Sequence, residues 1–347
     1  MGVSPFLRRA YELARPHHTH PNPRVGAVVV DSEGRILGEG AHEGPGSPHA
    51  EVVAVDRAGD AQGSTVYVSL EPCTHHGRTP PCADMLIEAG VARVVVGALD
   101  PDSRVSGGGV ERLRAAGIEV DVAGDPEARL VDPAYFRHRE TGLPAVTIKY
   151  AMTLDGSVAA VDGSSQWITS ELSRLDAHEL RSSVDAVLVG AGTLRADDPG
   201  LDVRLPGFEG PQPRPVIIAG SGELPSTARI WERVPLVVSA TNRDIPGGEL
   251  LIVDGDGRPD PVAACRALAD RGLLSLMLEG GAAVAGSWWS AGVITDGVVY
   301  LGAMLGGGSG IQPIGGRFET IADARSVRVS DIRRIDDEMR IDFVVED

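Results

Sequence analysis

The sequence predicts an α/β protein of two domains. Three observations lead there. The chain has 347 residues, more than one hydrophobic core usually organises. Short β-rich runs alternate with helical patterns from end to end, the order that layered α/β architectures require. A Gly-Pro break at residues 142–144 interrupts that alternation and marks a boundary, giving domains 1–143 and 144–347. Hydrophobic content of 42% and charged content of 23% are ordinary for a globular protein.

In the first domain "VGAVVV" and "RILGEGA" flank the turn "DSEG" and read as a hairpin. "HAEVVAVDRAG" is a helix closed by glycine. "TVYVSLE" is a strand, and "PPCADMLIEAG" is a helix with proline at its start and Gly90 past its end, the expected asymmetry. Strand "ARVVVGALD", helix "GVERLRAAG" and strand "IEVDVAG" follow. The β-α-β order predicts a layered domain with a largely parallel core. One helix, "PEARLVDPAYFRHRET", closes the block.

The second domain begins with strand "AVTIKYAM" and helix "ELSRLDAHELRSS". Strands "DAVLVGAG", "RPVIIAG", "PLVVSA" and "ELLIVDG" come next, then helix "PVAACRALADRG" and strand "LLSLMLEGG". A short helix around "AVAGSWWSAG", strand "DGVVYLGAML" and an alternating terminal hairpin complete the order. "VLVGAGTLRAD" contains G-x-G after a strand, but the next required glycine is Arg195. That departs from the dinucleotide fingerprint of Rossmann folds. Trp288, Trp289 and Cys265 read as packing residues.

Charge and cysteine count narrow the function. The formal charge is −17, whereas a nucleic-acid binder needs a basic surface to displace counterions. A small-molecule ligand is expected instead, with no nucleic-acid partner. Three cysteines cannot form a disulfide framework, so a reducing cytoplasm is expected. The N-terminus lacks the pattern of a signal peptide. No apolar run approaches the roughly 20 residues needed to cross a bilayer, and no membrane partner is expected.

The chemistry concentrates in "SLEPCTHHGRTPPC" and in "PHAEVVAV" upstream of it. His49 and Glu51 lie two apart at a helix start. Cys73 follows a strand, and Cys82 opens a helix. One histidine and two cysteines form a soft N/S ligand set suited to zinc, with a fourth position for water. A helix N-terminus lowers a thiol's pKa and favours the thiolate. H-x-E followed by two Pro-Cys pairs is the zinc deaminase signature, in which the glutamate is the proton shuttle and not a ligand. Eight residues separate the two cysteines here, where the general signature has two.

Together "THPNPRVGAVVV", "PHAEVVA", "LEPCTHHGRTPPC" and "ALDP" resemble the deaminase half of the bifunctional riboflavin-biosynthesis (RibD) family, including the long gap between the cysteines. The resemblance covers about 140 residues and implies a cytidine-deaminase-like α/β/α layered domain. It implies that His49, Cys73 and Cys82 hold Zn²⁺ and that Glu51 carries protons from water to the ring nitrogen and the leaving amine. It further implies that Asn22 binds the pyrimidine edge, that His42, His76 and Arg78 hold the ribose phosphate, and that Asp100 belongs to the substrate site. Where the family reads "DPNP" this chain has Asp102 and Ser103, and neither receives a role.

In the second domain "KYAMTLDG", "GSSQWITS", "GAGTLRADDPGLDVR" and "LEGGAAVAG" resemble the reductase half of the same family, whose fold is like dihydrofolate reductase and whose cofactor is NADPH. The implied NADPH contacts are Ala151, Ser165, Trp167, Thr169, Thr193, Asp197 and the loop of Gly280, Gly281, Ala282, Ala283, Val284, Ala285 and Gly286. The implied substrate contacts are Lys149, Arg181, Leu201, Arg204 and Glu279, with Arg181 and Arg204 as phosphate clamps. Lys149 and Asp197 are both candidates for the proton transfer.

The resulting expectation is a two-step enzyme acting on a phosphorylated pyrimidine: hydrolytic deamination, then NADPH-dependent reduction of the ribosyl group. A homodimer is expected by resemblance. Two rivals remain at this point: a zinc deaminase of free or tRNA nucleosides with a degenerate second domain, and a zinc-stapled binding module without activity.

Overall fold

Gly142 ends a helix in the left-handed conformation, φ 73°, which glycine adopts without strain. There the chain divides into two compact units, the second beginning at Leu143. The structure, a computed structural model, describes residues 3–74, 80–102, 106–308, 310–316 and 319–346.

The first unit runs α1 (Pro5–Ala14), β1 (Gly26–Val30), β2 (Ile36–Ala41), α2 (Ala50–Ala58), β3 (Thr65–Leu70), α3 (Cys82–Glu88), β4 (Arg93–Ala98), α4 (Gly108–Ala115), β5 (Glu119–Val122), α5 (Pro126–Arg129) and α6 (Pro133–Thr141). Its five-stranded sheet has the order β2-β1-β3-β4-β5. The expectation of a largely parallel core is corrected. β3-β4 and β4-β5 are parallel, but β1 is antiparallel to both its neighbours. The cause is the tight turn at Asp31, whose Oδ1 accepts the Glu33 and Arg35 N–H groups and folds β2 back beside β1. α2 then carries the chain over β1, so β3 runs parallel to β2 on β1's far side.

Two glycines of β2 bring α2 close. A Cβ on Gly38 would lie 2.2 Å from the Ala54 oxygen, and one on Gly40 2.4 Å from the Ala50 oxygen. This contact fixes the helix that begins beside His49. The single helix expected over 126–141 is two, α5 and α6. Pro133 disfavours helical geometry at Asp132, which sits at φ −146° and caps α6 by accepting the Tyr135 N–H. α1 was not anticipated, although Leu7, Ala10, Tyr11 and Ala14 are all buried at helical spacing.

The second unit runs β6 (Ala145–Thr153), α7 (Glu171–Ser182), β7 (Ala186–Gly190), α8 (Ala191–Asp197), β8 (Arg214–Ala219), β9 (Leu236–Ser239), β10 (Glu249–Ile252), α9 (Pro261–Ala269), β11 (Ser275–Glu279), α10 (Ala282–Ser290), β12 (Asp296–Gly302), β13 (Val327–Ile335) and β14 (Glu338–Val345). The sheet order is β10-β9-β8-β7-β11-β6-β12-β14-β13. All ladders from β10 to β12 are parallel, and the terminal hairpin adds the antiparallel edge.

Both faces of this sheet are covered. Ala186 and Leu188 join one core cluster, while Val187 and Val189 join the other. This explains the uninterrupted apolar run of β7, because alternate residues point into different cores. Trp288 and Cys265 are buried in the first cluster and Trp289 packs on it, as expected of structural residues. Among the described residues, no helix is long and apolar enough to cross a membrane.

Candidate active sites

In the first unit α2, α3 and the segment after β3 converge. His49 stands at the N-cap of α2 in extended geometry, and its side chain makes no capping bond. The ring therefore faces the cysteines. Its Nδ1 lies 3.2 Å from Cys82 Sγ and 3.6 Å from Cys73 Sγ. One donor atom from each of the three residues falls within 4.8 Å of the others. The Cys82 N–H, at the start of α3, also points at Cys73 Sγ, 3.4 Å away.

The hydrogen bond from Cys82 lowers the Cys73 thiol against burial, and the same bond raises Cys82. With His49 the donor set and spacing fit zinc. Glu51 is buried in the first turn of α2. Burial, followed by the charge of Cys73, raises its carboxyl to about 7, so it can hold or release a proton near neutral pH.

His49, Glu51 and Cys73 line a cavity of about 460 Å³ together with Asn22, His42, Glu71, Asp100, Asp102, Tyr135 and Arg139. His42 is 4% exposed, and burial lowers its pKa. Its Nδ1 lies 3.1 Å from the Pro48 carbonyl, which only accepts, so Nδ1 carries the proton. Nε2 is then the acceptor for the Asn22 amide at 3.2 Å. The sequence reading set His42 with His76 and Arg78 on the ribose phosphate; here both of its ring nitrogens are engaged, by Pro48 and Asn22. His76 and Arg78 lie outside the described residues.

Asp100 accepts from the Tyr135 hydroxyl at 3.2 Å and from the Asp102 N–H at 2.9 Å. Glu71, to which the sequence reading gave no role, accepts the N–H groups of Gly107, Gly109 and Val110 at the start of α4 and that of Asp100. It is an N-terminal helix anchor that fixes the cavity floor. The sequence signal was a glutamate before Pro-Cys, followed by the glycine run at 107–109.

In the second unit Lys149 of β6 and Glu279 of β11 are register partners on neighbouring parallel strands. Lys149 Nζ lies 3.7 Å from Glu279 Oε2. Arg181 from α7 grips the same carboxylate with Nε–Oε1 at 2.7 Å and Nη2–Oε2 at 2.9 Å, and its Nη1 donates to the Asp202 carbonyl at 2.6 Å. Burial by itself would raise the Glu279 carboxyl, but Arg181 and Lys149 together hold it at about 2.

Each guanidinium nitrogen of Arg181 makes one of these contacts and so anchors Glu279, while Nη1 and Nη2 each keep a second N–H for the expected phosphate contact. Arg204 is 52% exposed, its side chain held by Asp202 Oδ1 at 2.8 Å. Its N–H donates to His178 Nδ1. Burial and the nearby Arg181 and Arg204 charges lower His178 to about 4, leaving it neutral. Leu201 is buried, with φ 54°.

The candidate cofactor residues fall into two groups. α8 follows β7 directly, and α10 follows β11 after Gly280 and Gly281, so two helix N-termini stand at the ends of adjacent parallel strands. Gly280 and Gly281 have φ of 85° and 88°. A Cβ on Gly281 would sit 3.3 Å from Thr193 Oγ1, inside the cradle that a nucleotide phosphate would occupy. Gly286 lets the segment at Gly315 press on α10, for a Cβ there would lie 1.7 Å from the Gly315 oxygen. Burial raises the Asp197 carboxyl at the end of α8.

Ser165 and Trp167 line a second cavity, about 430 Å³, that contains neither Thr193 nor the glycine loop. Trp167 is 62% exposed, with the Arg174 guanidinium 4.3 Å from its ring. Thr169 accepts from Arg174 through its carbonyl. Glu338, not singled out in the sequence, accepts from the Ser170 N–H and hydroxyl and ties this loop to the terminal hairpin. Ala151 lies on β6 opposite Tyr300.

A soft N/S triad beside a buried carboxylate in one unit, and a glycine cradle at parallel strand ends in the other, define a zinc hydrolase joined to a nucleotide-dependent reductase. The cytidine and deoxycytidylate deaminase zinc-binding region matches residues 3–98, and the RibD C-terminal domain matches residues 144–339. The riboflavin biosynthesis protein RibD of Aquifex aeolicus is 41% identical over 97% of each chain. A solved RibD of Acinetobacter baumannii aligns with TM-score 0.91 at 34% identity, covering 99% of this chain and 98% of that one. The deaminase/reductase structure from Thermotoga maritima aligns with TM-score 0.88 at 35% identity, covering 98% and 97%. The chain belongs to the RibD family, the bifunctional deaminase–reductases of riboflavin biosynthesis. Its cofactors are zinc and NADPH.

Proposed function

We propose that the first unit deaminates 2,5-diamino-6-(ribosylamino)-4(3H)-pyrimidinone 5′-phosphate and that the second reduces the ribosyl group of the product, a 5-amino-6-(5-phosphoribosylamino)uracil. Support comes from the relatives, among them the Thermotoga maritima diaminohydroxyphosphoribosylaminopyrimidine deaminase/5-amino-6-(5-phosphoribosylamino)uracil reductase. The observation that carries the reading is the His49, Cys73 and Cys82 cluster at a cavity that His49, Cys73 and Glu51 line.

In this reading zinc held by His49, Cys73 and Cys82 supplies Lewis acidity that lowers the pKa of a water. Glu51 takes one proton from that water and delivers it to the ring nitrogen, then carries the second, from the hydroxyl on the tetrahedral carbon, to the departing amine. Water's oxygen replaces nitrogen on the pyrimidine carbon, and ammonia leaves. Asn22, oriented by neutral His42, reads the pyrimidine edge, and Asp100 completes that wall with the Tyr135 hydroxyl. His76 and Arg78 retain the proposed phosphate role that the resemblance implies.

In the second unit NADPH supplies the hydride for C1′ of the ribosyl group, whose ring oxygen takes a proton as the ring opens. Gly280 to Gly286 and Thr193 are the proposed pyrophosphate contacts. Ala151, Ser165, Trp167 and Thr169 are proposed for the rest of the cofactor, with Leu201, Arg204 and Glu279 for the substrate. Lys149 and Asp197 are the two groups proposed for the proton. Comparing Lys149→Gln with Asp197→Asn distinguishes them by which loses kcat at unchanged KM for NADPH.

The proposal also includes a domain division at 143/144, a cytoplasmic setting and a homodimer formed through the second unit. β13 favours that pairing: it is an edge strand with exposed Val329 and Ile332. Sedimentation of the purified chain tests it. Ammonia release from the phosphorylated diaminopyrimidinone, against cytidine and tRNA, tests the substrate. Activity on the nucleosides alone would replace this reading.

A further inference from the structure

The cavity beside the zinc triad is acidic. Among its described lining residues Glu51, Glu71, Asp100 and Asp102 are carboxylic acids, and Arg139 is the one arginine or lysine. A phosphate dianion entering such a wall meets repulsion unless a cation faces it. Two of these acids are already engaged. Glu71 accepts four backbone N–H groups. Asp100 accepts the Tyr135 hydroxyl, which burial keeps protonated, and the Asp102 N–H.

Arg139 is held in place without being saturated. Its guanidinium lies 4.9 Å from the centre of the Tyr135 ring, and Nη2 donates to the Pro21 carbonyl at 3.3 Å. The nearest approach to an acid is Nε to Asp102 Oδ2 at 3.8 Å, beyond hydrogen-bond range, and the buried Nε finds no partner among the described residues. The side chain is 23% exposed, enough to meet a ligand in the cavity. The Pro21 contact puts it beside Asn22, the residue proposed to read the pyrimidine. Its planar fork leaves donors for a bidentate oxyanion contact.

We propose that Arg139, on the last helix of the first unit, binds the substrate's phosphate in the deaminase step. The inference rests on the deaminase reading above. It makes α6 part of the substrate site, with Tyr135 as the platform that sets the height of the guanidinium.

The test compares the phosphorylated diaminopyrimidinone with its dephosphorylated riboside in ammonia-release assays on the zinc-loaded full chain. Losing a charge-assisted contact to phosphate corresponds to a factor of about 10–100. Arg139→Gln should raise KM for the phosphorylated substrate by that factor, with kcat nearly unchanged. KM for the riboside should not move, and NADPH oxidation by the second unit should be unaltered. Inhibition by ribose 5-phosphate should weaken in parallel. Arg139→Lys, which keeps the charge and the ring contact, should show a smaller loss and guards against a folding defect in the glutamine variant. Equal losses on both substrates, a fall in kcat alone, or no change would overturn the assignment. A wild-type chain that releases ammonia from neither substrate would remove the deaminase reading itself.

Discussion

Arg181 meets Glu279 through two parallel hydrogen bonds, 2.7 and 2.9 Å, across 98 residues of sequence. The pair joins the end of α7 to the end of β11, just ahead of the Gly280-Gly281 cradle. With Lys149 on the other side, the carboxylate is compensated twice. Removing one partner leaves charge stranded in a partly buried place. Arg181→Gln should therefore cost the second unit about 2–4 kcal/mol, read by urea denaturation followed through NADPH-oxidising activity.

The same pair predicts a pH window. The folded Glu279 pKa, about 2, lies below its ordinary 4.5. A depressed carboxyl contributes stability that is fully present above 4.5 and is lost as pH falls through 2. The contribution at neutral pH is on the order of 3 kcal/mol. Denaturation midpoints between pH 6 and pH 2.5 should fall more steeply in wild type than in Glu279→Gln. Parallel curves would dissociate the carboxylate from this acid sensitivity.

Glu51→Gln keeps the size of the side chain and removes the proton shuttle. Deamination should fall by about 10²–10⁴-fold, while zinc content, and NADPH oxidation with the deaminated uracil supplied, stay at wild-type levels. Ammonia release and metal analysis on one preparation check both halves of the statement.

Cys82→Ser replaces one soft sulfur of the triad with a hard hydroxyl. Zinc content should drop below one ion per chain and deamination should vanish, with reduction of pre-deaminated substrate retained. A strong chelator should reproduce the result on wild type, and added zinc should restore wild type more fully than the variant.

Gly286→Ala would place a methyl group 1.7 Å from the Gly315 oxygen. Either α10 or the 315 segment must move, disturbing the glycine cradle. KM for NADPH should rise several-fold, with deamination unaffected. An unchanged KM would separate this helix from cofactor binding.

How much of this was legible beforehand depends on distance along the chain. The zinc triad could be read because His49, Cys73 and Cys82 carry unusual chemistry at strand and helix starts, and each start has a local signal. The parallel second sheet could be read from apolar runs such as "AVLVG", whose residues alternate between two cores. α1 carries a periodic signal as well, buried at 7, 10, 11 and 14, but its apolar positions are interspersed with Arg8, Arg9 and Glu12 and make no continuous run.

The hairpin signal gave β2 as an antiparallel neighbour of β1, but the pairing of β1 with β3 was not legible, since periodicity does not report which side of a strand the next one joins. Pairings were hidden for the same reason. Nothing local to Arg181 says that its fork meets a carboxylate 98 residues away. Nothing local to His42 says that Pro48 and Asn22 take both nitrogens. Tyr135 and Arg139 looked like ordinary helix residues until the fold brought α6 to the deaminase cavity.

The measurement that bears most directly on the whole account is a coupled assay on the zinc- and NADPH-loaded chain with the phosphorylated diaminopyrimidinone. Ammonia and NADP⁺ should appear with a final ratio of one to one, ammonia first. With Glu51→Gln both should stop, and supplying the deaminated uracil should restore NADPH oxidation alone. NADPH consumption from the undeaminated substrate at the wild-type rate in Glu51→Gln would contradict the account.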